Sequence, residues 1–287
     1  MVNTSRRSWL SWLFGISASF FQRPLFAKGL TNDFTTSTPA AEASENMSKL
    51  MRDNFPYEII TVTGESAYAE WQRLRDLGNS YPVVIGNDES LDSVIETFDM
   101  NSSALEGATL PGLVLRTPEQ IIAAADLISL PSDLKKWQRI THSEELNAPK
   151  ENWPSTPMLF SNGLTVATDI LNGRFYDNVH IVLIPTQISW EVPAFLQWGN
   201  WNACPPSEYH VAALKKWNEL YGAELVGFSG DVLDIKIQRK PSSRNEAITL
   251  AREIYYYCPD TVDQGAGSIT ELAAALKNSN WWSIWWD

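Results

Sequence analysis

Cysteine and histidine are scarce in this sequence. Cys204 and Cys258 are its two cysteines, and His142, His180 and His210 are its three histidines, in 287 residues. Two cysteines permit at most one internal disulfide, and three scattered histidines leave little material for a His-rich metal centre. The close CxxC and HExxH spacings of zinc sites are missing. So are GxGxxG and GxxxxGKS/T, the glycine-rich loops that cradle nucleotide phosphates. No metal and no cofactor is therefore expected. Positive charge is in the minority: 22 Lys and Arg face 34 Asp and Glu, a net charge of −12. An acidic body repels phosphate backbones, so nucleic acid is not expected as a partner. Past the first two dozen residues no long apolar run occurs.

The start of the chain carries what the rest lacks. Ser5-Arg6-Arg7-Ser8 is followed by an apolar run from Trp9 to Phe21. As a helix that run would span roughly 20 Å, short of the ~30 Å hydrocarbon core of a bilayer. It reads as the core of a signal peptide. The arginine pair resembles a twin-arginine export signal, with Arg23 and Lys28 near its end and Leu25-Phe26-Ala27 as an imperfect cleavage site. The expected destination is the periplasm. The alternative is an uncleaved membrane anchor, and no stable span is expected once the leader is removed. Loss of Arg6, Arg7 and Arg23 takes the net charge from −12 to −15. Residues 28–54 are rich in Thr, Ser, Ala and Glu, cannot bury enough apolar surface to order themselves, and read as a linker.

Two folded parts are expected, an α/β region at 55–150 and a C-terminal α+β domain at 151–287, divided by the proline-rich Asn147–Pro157 stretch. In the first, Tyr57–Thr63 alternates like a strand, and Glu65–Leu77 places Ala67, Trp71, Leu74 and Leu77 on one helical face before Gly78. The wholly apolar Pro82–Gly86 reads as a strand covered on both sides. Together these predict a parallel strand–helix–strand unit, with Gly86-Asn87-Asp88-Glu89 at the strand end where ligands often sit. A solvated loop and a capped helix explain those acids better than a cation site does. Thr117-Pro118-Glu119-Gln120 is a helix start, and a second helix begins at Pro131-Ser132-Asp133. Asn162-Gly163 and Asn172-Gly173 look like tight turns.

In the C-terminal part, Val179–Pro185 is an apolar strand in which His180 reads as a satisfied core histidine. Pro206 opens a helix closed by Gly222, and Ala223–Phe228 is the next strand. Leu233, Ile235 and Ile237 alternate with Asp234, Lys236 and Gln238, which predicts a strand with one wet face. Ser243 and Ser268 cap two further helices. The chain closes on an aromatic strand, Trp281-Trp282-Ser283-Ile284-Trp285-Trp286-Asp287. This order matches the split βαβ, or ferredoxin-like, arrangement with an extra helix. The expected fold class is thus α+β: a split βαβ C-terminal domain with an aromatic terminal strand, preceded by a smaller α/β region. Eight of the thirteen tryptophans lie in Trp190–Asp287. They read as interior filling rather than as a stacking platform, which would need exposed, coplanar rings.

Four stretches carry a resemblance: Trp198-Gly199-x-Trp201-Asn202-x-Cys204-Pro205, Trp217-x-x-x-Tyr221-Gly222-Ala223-Glu224, Tyr257-Cys258-Pro259-Asp260 and Trp285-Trp286-Asp287. Together they resemble a bacterial family of domains of unknown function over about Val179–Asp287. The resemblance brings no activity with it.

Three readings of function remain. The leading one is recognition without catalysis: an exported protein that binds an unknown protein or small molecule through Trp198, Trp201, Asn202 and Asp263. The second is a thiol-dependent hydrolase. In it Cys204 is the nucleophile, His210 the base six residues on, and Asp260 the acid that orients the base. A metal set of Cys204, His210, Cys258 and Asp260 has no supporting spacing. The third is carbohydrate binding, which needs Trp198, Trp201 or Trp282 exposed as a flat strip. Cys204 and Cys258 read equally well as a disulfide and as two buried thiols. A disulfide would close a loop of about 54 residues and stabilise by about 4 kcal/mol. The leader predicts a mature chain starting just after Ala27, which intact-mass measurement of periplasmic material checks. Full-length protein in the cytoplasm would contradict it.

Overall fold

The computed structural model describes residues 48–102, 116–141, 148–157 and 163–287. The leader, most of the linker, His142 and Asn162 lie outside these ranges. Residues 54–286 form one compact unit; the described residues 48–53 and Asp287 belong to another. Among the described residues no helix is long and apolar enough to cross a membrane.

The fold is mixed α and β, built on a six-stranded sheet. Its strands are β1 (Glu58–Val62), β2 (Tyr81–Gly86), β5 (Val179–Ile184), β6 (Glu224–Phe228), β7 (Val232–Lys236) and β8 (Trp281–Trp285), in the order β1-β5-β2-β6-β7-β8. Strands from either side of the boundary expected near residue 150 thus share one sheet. Between them, β3 (Thr168–Asp169) and β4 (Arg174–Phe175) form the small hairpin expected at Asn172-Gly173. The helices are α1 (Gly64–Leu77), α2 (Asp88–Ser102), α3 (Pro118–Ala125), α4 (Ser132–Thr141), α5 (Val192–Phe195), α6 (Ser207–Tyr221), α7 (Arg244–Tyr257) and α8 (Ile269–Asn278).

Local signals placed most of these elements. Thr117 caps α3 with its hydroxyl on the Gln120 amide, and the Gln120 side chain returns to Thr117 N. Ser243 and Ser268 each accept from the amide three residues on. Gly78 and Gly222 end α1 and α6 in the left-handed conformation.

The strand order departs from the ferredoxin-like expectation. β5 lies between β1 and β2 and is antiparallel to both, so β1 and β2 are parallel but not adjacent. A split βαβ unit is therefore present, but β1, α1 and β2 make it around β5. β2 then stands beside β6 in parallel pairing, which separates β5 from β6. β6, β7 and β8 follow as antiparallel neighbours, with β8 at the sheet edge. The physical reason lies in β2, with every residue buried. So apolar a strand is stable only inside the sheet, and the C-terminal strands part to admit it.

Helices cover both faces. Trp281 meets Tyr68 of α1 at a centroid distance of 5.5 Å. Its neighbour Trp282, on the opposite face, meets Tyr221 and Trp217 of α6 at 5.4 and 6.2 Å. On α7, Glu253 accepts from the Trp217 indole at 2.9 Å and pairs with Lys216, tying α6 to α7.

The wet face expected on β7 is covered where Asp234 lies. Asp234 is fully buried beneath the 3-10 turn Thr165–Ala167. Its carboxylate accepts from Thr165 N at 2.6 Å, Val166 N at 3.0 Å and Thr165 Oγ1 at 2.8 Å. Burial raises its pKa above the ordinary value, and the hydrogen bonds it accepts work against that shift. Alternation gives the period of a strand but not what lies over it. Removing the carboxylate leaves the amides of Thr165 and Val166 without an acceptor in the interior. Asp234→Ala is therefore expected to cost about 3–5 kcal/mol in urea denaturation at pH 7. Asp234→Asn keeps one acceptor oxygen and is expected to cost less than half as much.

Candidate functional site

The candidate site is the loop of residues 197–205, between α5 and α6, and what it covers. This loop spends much of its length in the left-handed region: Gln197 (φ 49°), Asn200 (68°) and Asn202 (46°), besides Gly199 (109°). Asparagine tolerates that region because its short amide can bond to nearby backbone. Hydrogen bonds lock the turns: Trp198 N to Pro193 O at 3.2 Å, Asn200 N to Pro205 O at 3.0 Å, and Cys204 N to Trp201 O at 2.8 Å. The Ser207 hydroxyl donates to Trp198 O at 2.7 Å. Gly199 is required, since a Cβ there would stand 2.2 Å from Pro205 O and 2.7 Å from His210 Nε2. The loop backbone is wrapped directly on the imidazole.

Cys204 Sγ lies 3.4 Å from His210 Nε2, so the expected thiol–imidazole neighbours do meet. They meet in the interior: both residues are 0% exposed. The orienting group is not Asp260. His210 Nδ1 is 2.5 Å from the hydroxyl of Tyr257 at the end of α7. Each ring nitrogen of His210 thus has a partner, Cys204 Sγ at Nε2 and the Tyr257 hydroxyl at Nδ1.

Burial holds all three groups neutral. It lowers the His210 pKa from its ordinary 6.5 to about 3 and pushes the Cys204 thiol and the Tyr257 phenol well above their usual ranges. Cys258, also raised by burial, donates to Trp285 O at 2.8 Å. Neither sulfur is in a disulfide.

The remaining candidates divide between interior and surface. Trp198 and Trp282 are fully buried, so they form no exposed strip. Trp198 packs on Trp286 at 5.4 Å, Phe228 at 4.8 Å and His210 at 4.6 Å. The indole nitrogens of Trp198, Trp282 and Trp286 find no hydrogen-bond acceptor among the described residues; neighbouring rings surround them. Trp201 is half-buried, edge-on to Trp198, while Asn200 and Asn202 are exposed. Asp260 accepts from Gln264 at 2.9 Å, and the exposed Asp263 accepts from Tyr255 at 3.1 Å. Neither acid is among the hydrogen-bond partners of His210 given by the structure. Tyr257 was missed in the sequence. Its signal was its place beside Cys258 at the end of a helix with Tyr255 and Tyr256, but nothing local tied it to His210.

Residues 180–287 match the model of a family described as Domain of unknown function (DUF4253). The matched segment contains every residue of this site. Neither a curated protein nor a solved structure matches the chain.

A pH prediction follows from His210. Its folded pKa is depressed, so between about 6.5 and about 3 the unfolded chain takes up a proton that the folded chain refuses. This contribution is constant above pH 7 and subtracts from stability as pH falls, by at most roughly 4–5 kcal/mol. The difference in unfolding free energy between wild type and His210→Gln is expected to shrink from pH 7 to pH 4 in chemical denaturation. Parallel curves would contradict this.

Proposed function

We propose that the protein is an exported binding module that recognises a protein or small molecule through the 197–205 loop. The observation that carries this reading is the contrast between the two sides of the loop. On the inside, thiol, imidazole and phenol form a closed, neutral chain suited to holding the backbone in place. On the outside, Trp201 is half-exposed between the amides of Asn200 and Asn202, on a backbone fixed in conformations that cost energy to hold. A rigid, amphipathic indole flanked by adaptable amides is a common composition for a recognition surface, because little entropy is lost on contact.

Burial disfavours the thiol-hydrolase reading at Cys204, since a substrate carbonyl would have to reach a fully enclosed sulfur. Carbohydrate binding on a strip of tryptophans is disfavoured by the burial of Trp198 and Trp282. Export to the periplasm is part of the proposal and rests on the twin-arginine-like leader.

The test is a photo-crosslinking residue placed at 201 and, as a control, at the exposed Leu220 of α6, with irradiation of living cells. Position 201 is expected to give a discrete adduct that the control does not, and Asn202→Ala is expected to reduce it severalfold. Equal or absent adducts at both positions would overturn the reading.

A further inference from the structure

The molecule holds a second histidine chain. His180 on β5 sits across from Thr61 of the edge strand β1. Its Nδ1 is 3.0 Å from Thr61 Oγ1, and its Nε2 is 3.2 Å from Asp88 Oδ1. Three elements distant in sequence converge here. The imidazole is enclosed, with its side chain 7% exposed, while Asp88 is 56% exposed and Thr61 is also exposed. A carboxylate can only accept, so Nε2 carries the hydrogen toward Asp88. Nδ1 is then left with its lone pair toward the Thr61 hydroxyl. That is the order a base needs to activate a hydroxyl.

The surroundings support a site. Thr61, His180 and Asp88 lie at the carboxyl ends of the parallel strands β1 and β2, the end of an open α/β sheet where ligands bind. The register of β2 against β5 slips between Val84 and Gly86, next to His180, and Gly86 takes φ 113°; bulges of this kind re-aim side chains beside sites. Asn87 accepts from Ser90 N at 3.0 Å at the start of α2, which fixes Asp88 in the first turn, where a carboxylate is favoured.

We propose that Thr61 is a surface nucleophile that takes an acyl group from a small ester, with His180 as its base and Asp88 as the residue that positions the imidazole. Thr61 Oγ1 bonds to the ester carbonyl carbon while its proton moves to His180 Nδ1. The bond from that carbon to the alcohol oxygen breaks, and the alcohol leaves with the proton. The acyl group remains on Thr61. Water reverses the sequence: it gives a proton to Nδ1, bonds to the carbonyl carbon and releases the carboxylic acid, and Thr61 regains its proton. This site is independent of the 197–205 loop.

The test uses the full chain and p-nitrophenyl acetate, following the burst of p-nitrophenol and mapping acetylation by peptide mass spectrometry. Wild type is expected to give a burst with acetyl on Thr61, and Thr61→Ser is expected to keep it. Thr61→Val is expected to abolish the burst, and His180→Gln to slow acylation by about 100-fold. Asp88→Asn is expected to slow it at least about tenfold, and Asp88→Glu to recover most of the rate, which a merely structural role would not require. Thr61 and Asp88 are exposed, so these variants leave the core intact even if His180→Gln folds poorly. An unacetylated Thr61 in wild type, or equal acetylation in Asp88→Asn, would overturn the proposal.

Discussion

The fold depends on cover for both faces of a strand that carries tryptophan on each. Along β8 the side chains alternate, so no single helix layer can enclose Trp281 and Trp282 together. Trp281 is met by Tyr68 from one side and Trp282 by Trp217 and Tyr221 from the other. Burying one indole stabilises by about 4–6 kcal/mol on area grounds, a large fraction of what a domain retains after its entropy cost. That demand holds α6 against the sheet, and the Glu253 staple holds α7 against α6. His210 and Tyr257 then meet because their helices have been brought together for another reason.

The two histidine chains show how little the residue type decides. Each imidazole touches a group that could serve as a nucleophile, and each is held at its other nitrogen. At His210 the second partner is a phenol, which can donate or accept. At His180 the second partner is a carboxylate, which accepts, and the lone pair is left on the hydroxyl side. Enclosure adds to the difference. His210 is sealed with its thiol, whereas Thr61 lies on an edge strand. Chemistry that a sequence reader would assign to the cysteine is better supported by geometry at the threonine.

Much of the local structure was legible because it is set by local forces. Thr117, Ser243 and Ser268 satisfy free amides within three residues, and Gly78 and Gly222 end helices through their own backbone freedom. The burial of Trp217, Trp282 and Trp286 was legible too, but that of Trp198, expected to contact a ligand, was not. Strand neighbours were not. The periodicity of Val179–Ile184 states that a strand is buried but not that it lies between β1 and β2. Asp234 looked wet because its neighbours alternate, and only the Thr165–Ala167 turn, nearly seventy residues away in sequence, makes it dry. The contacts of Thr61, Asp88 and Tyr257 with histidines span 119, 92 and 47 residues, beyond the reach of spacing rules.

Strand order also bears on how much chain the C-terminal half needs. From His180 onward the sequence supplies β5, β6, β7 and β8, yet β5 has no partner among the other three. It pairs with β1 and β2 alone, and β2 bridges it to β6. Without residues 58–86 the apolar β5 would have both edges unpaired, and each unpaired buried amide or carbonyl costs about as much as a lost hydrogen bond. β6, β7 and β8 would remain paired, but the β6 edge that β2 covers would face water. The Thr61–His180–Asp88 chain would lose Thr61 as well, and Asp88 the strand that leads into it. The sheet and this second site therefore require the same N-terminal strands, and the early βαβ unit is part of the framework on which the C-terminal half folds.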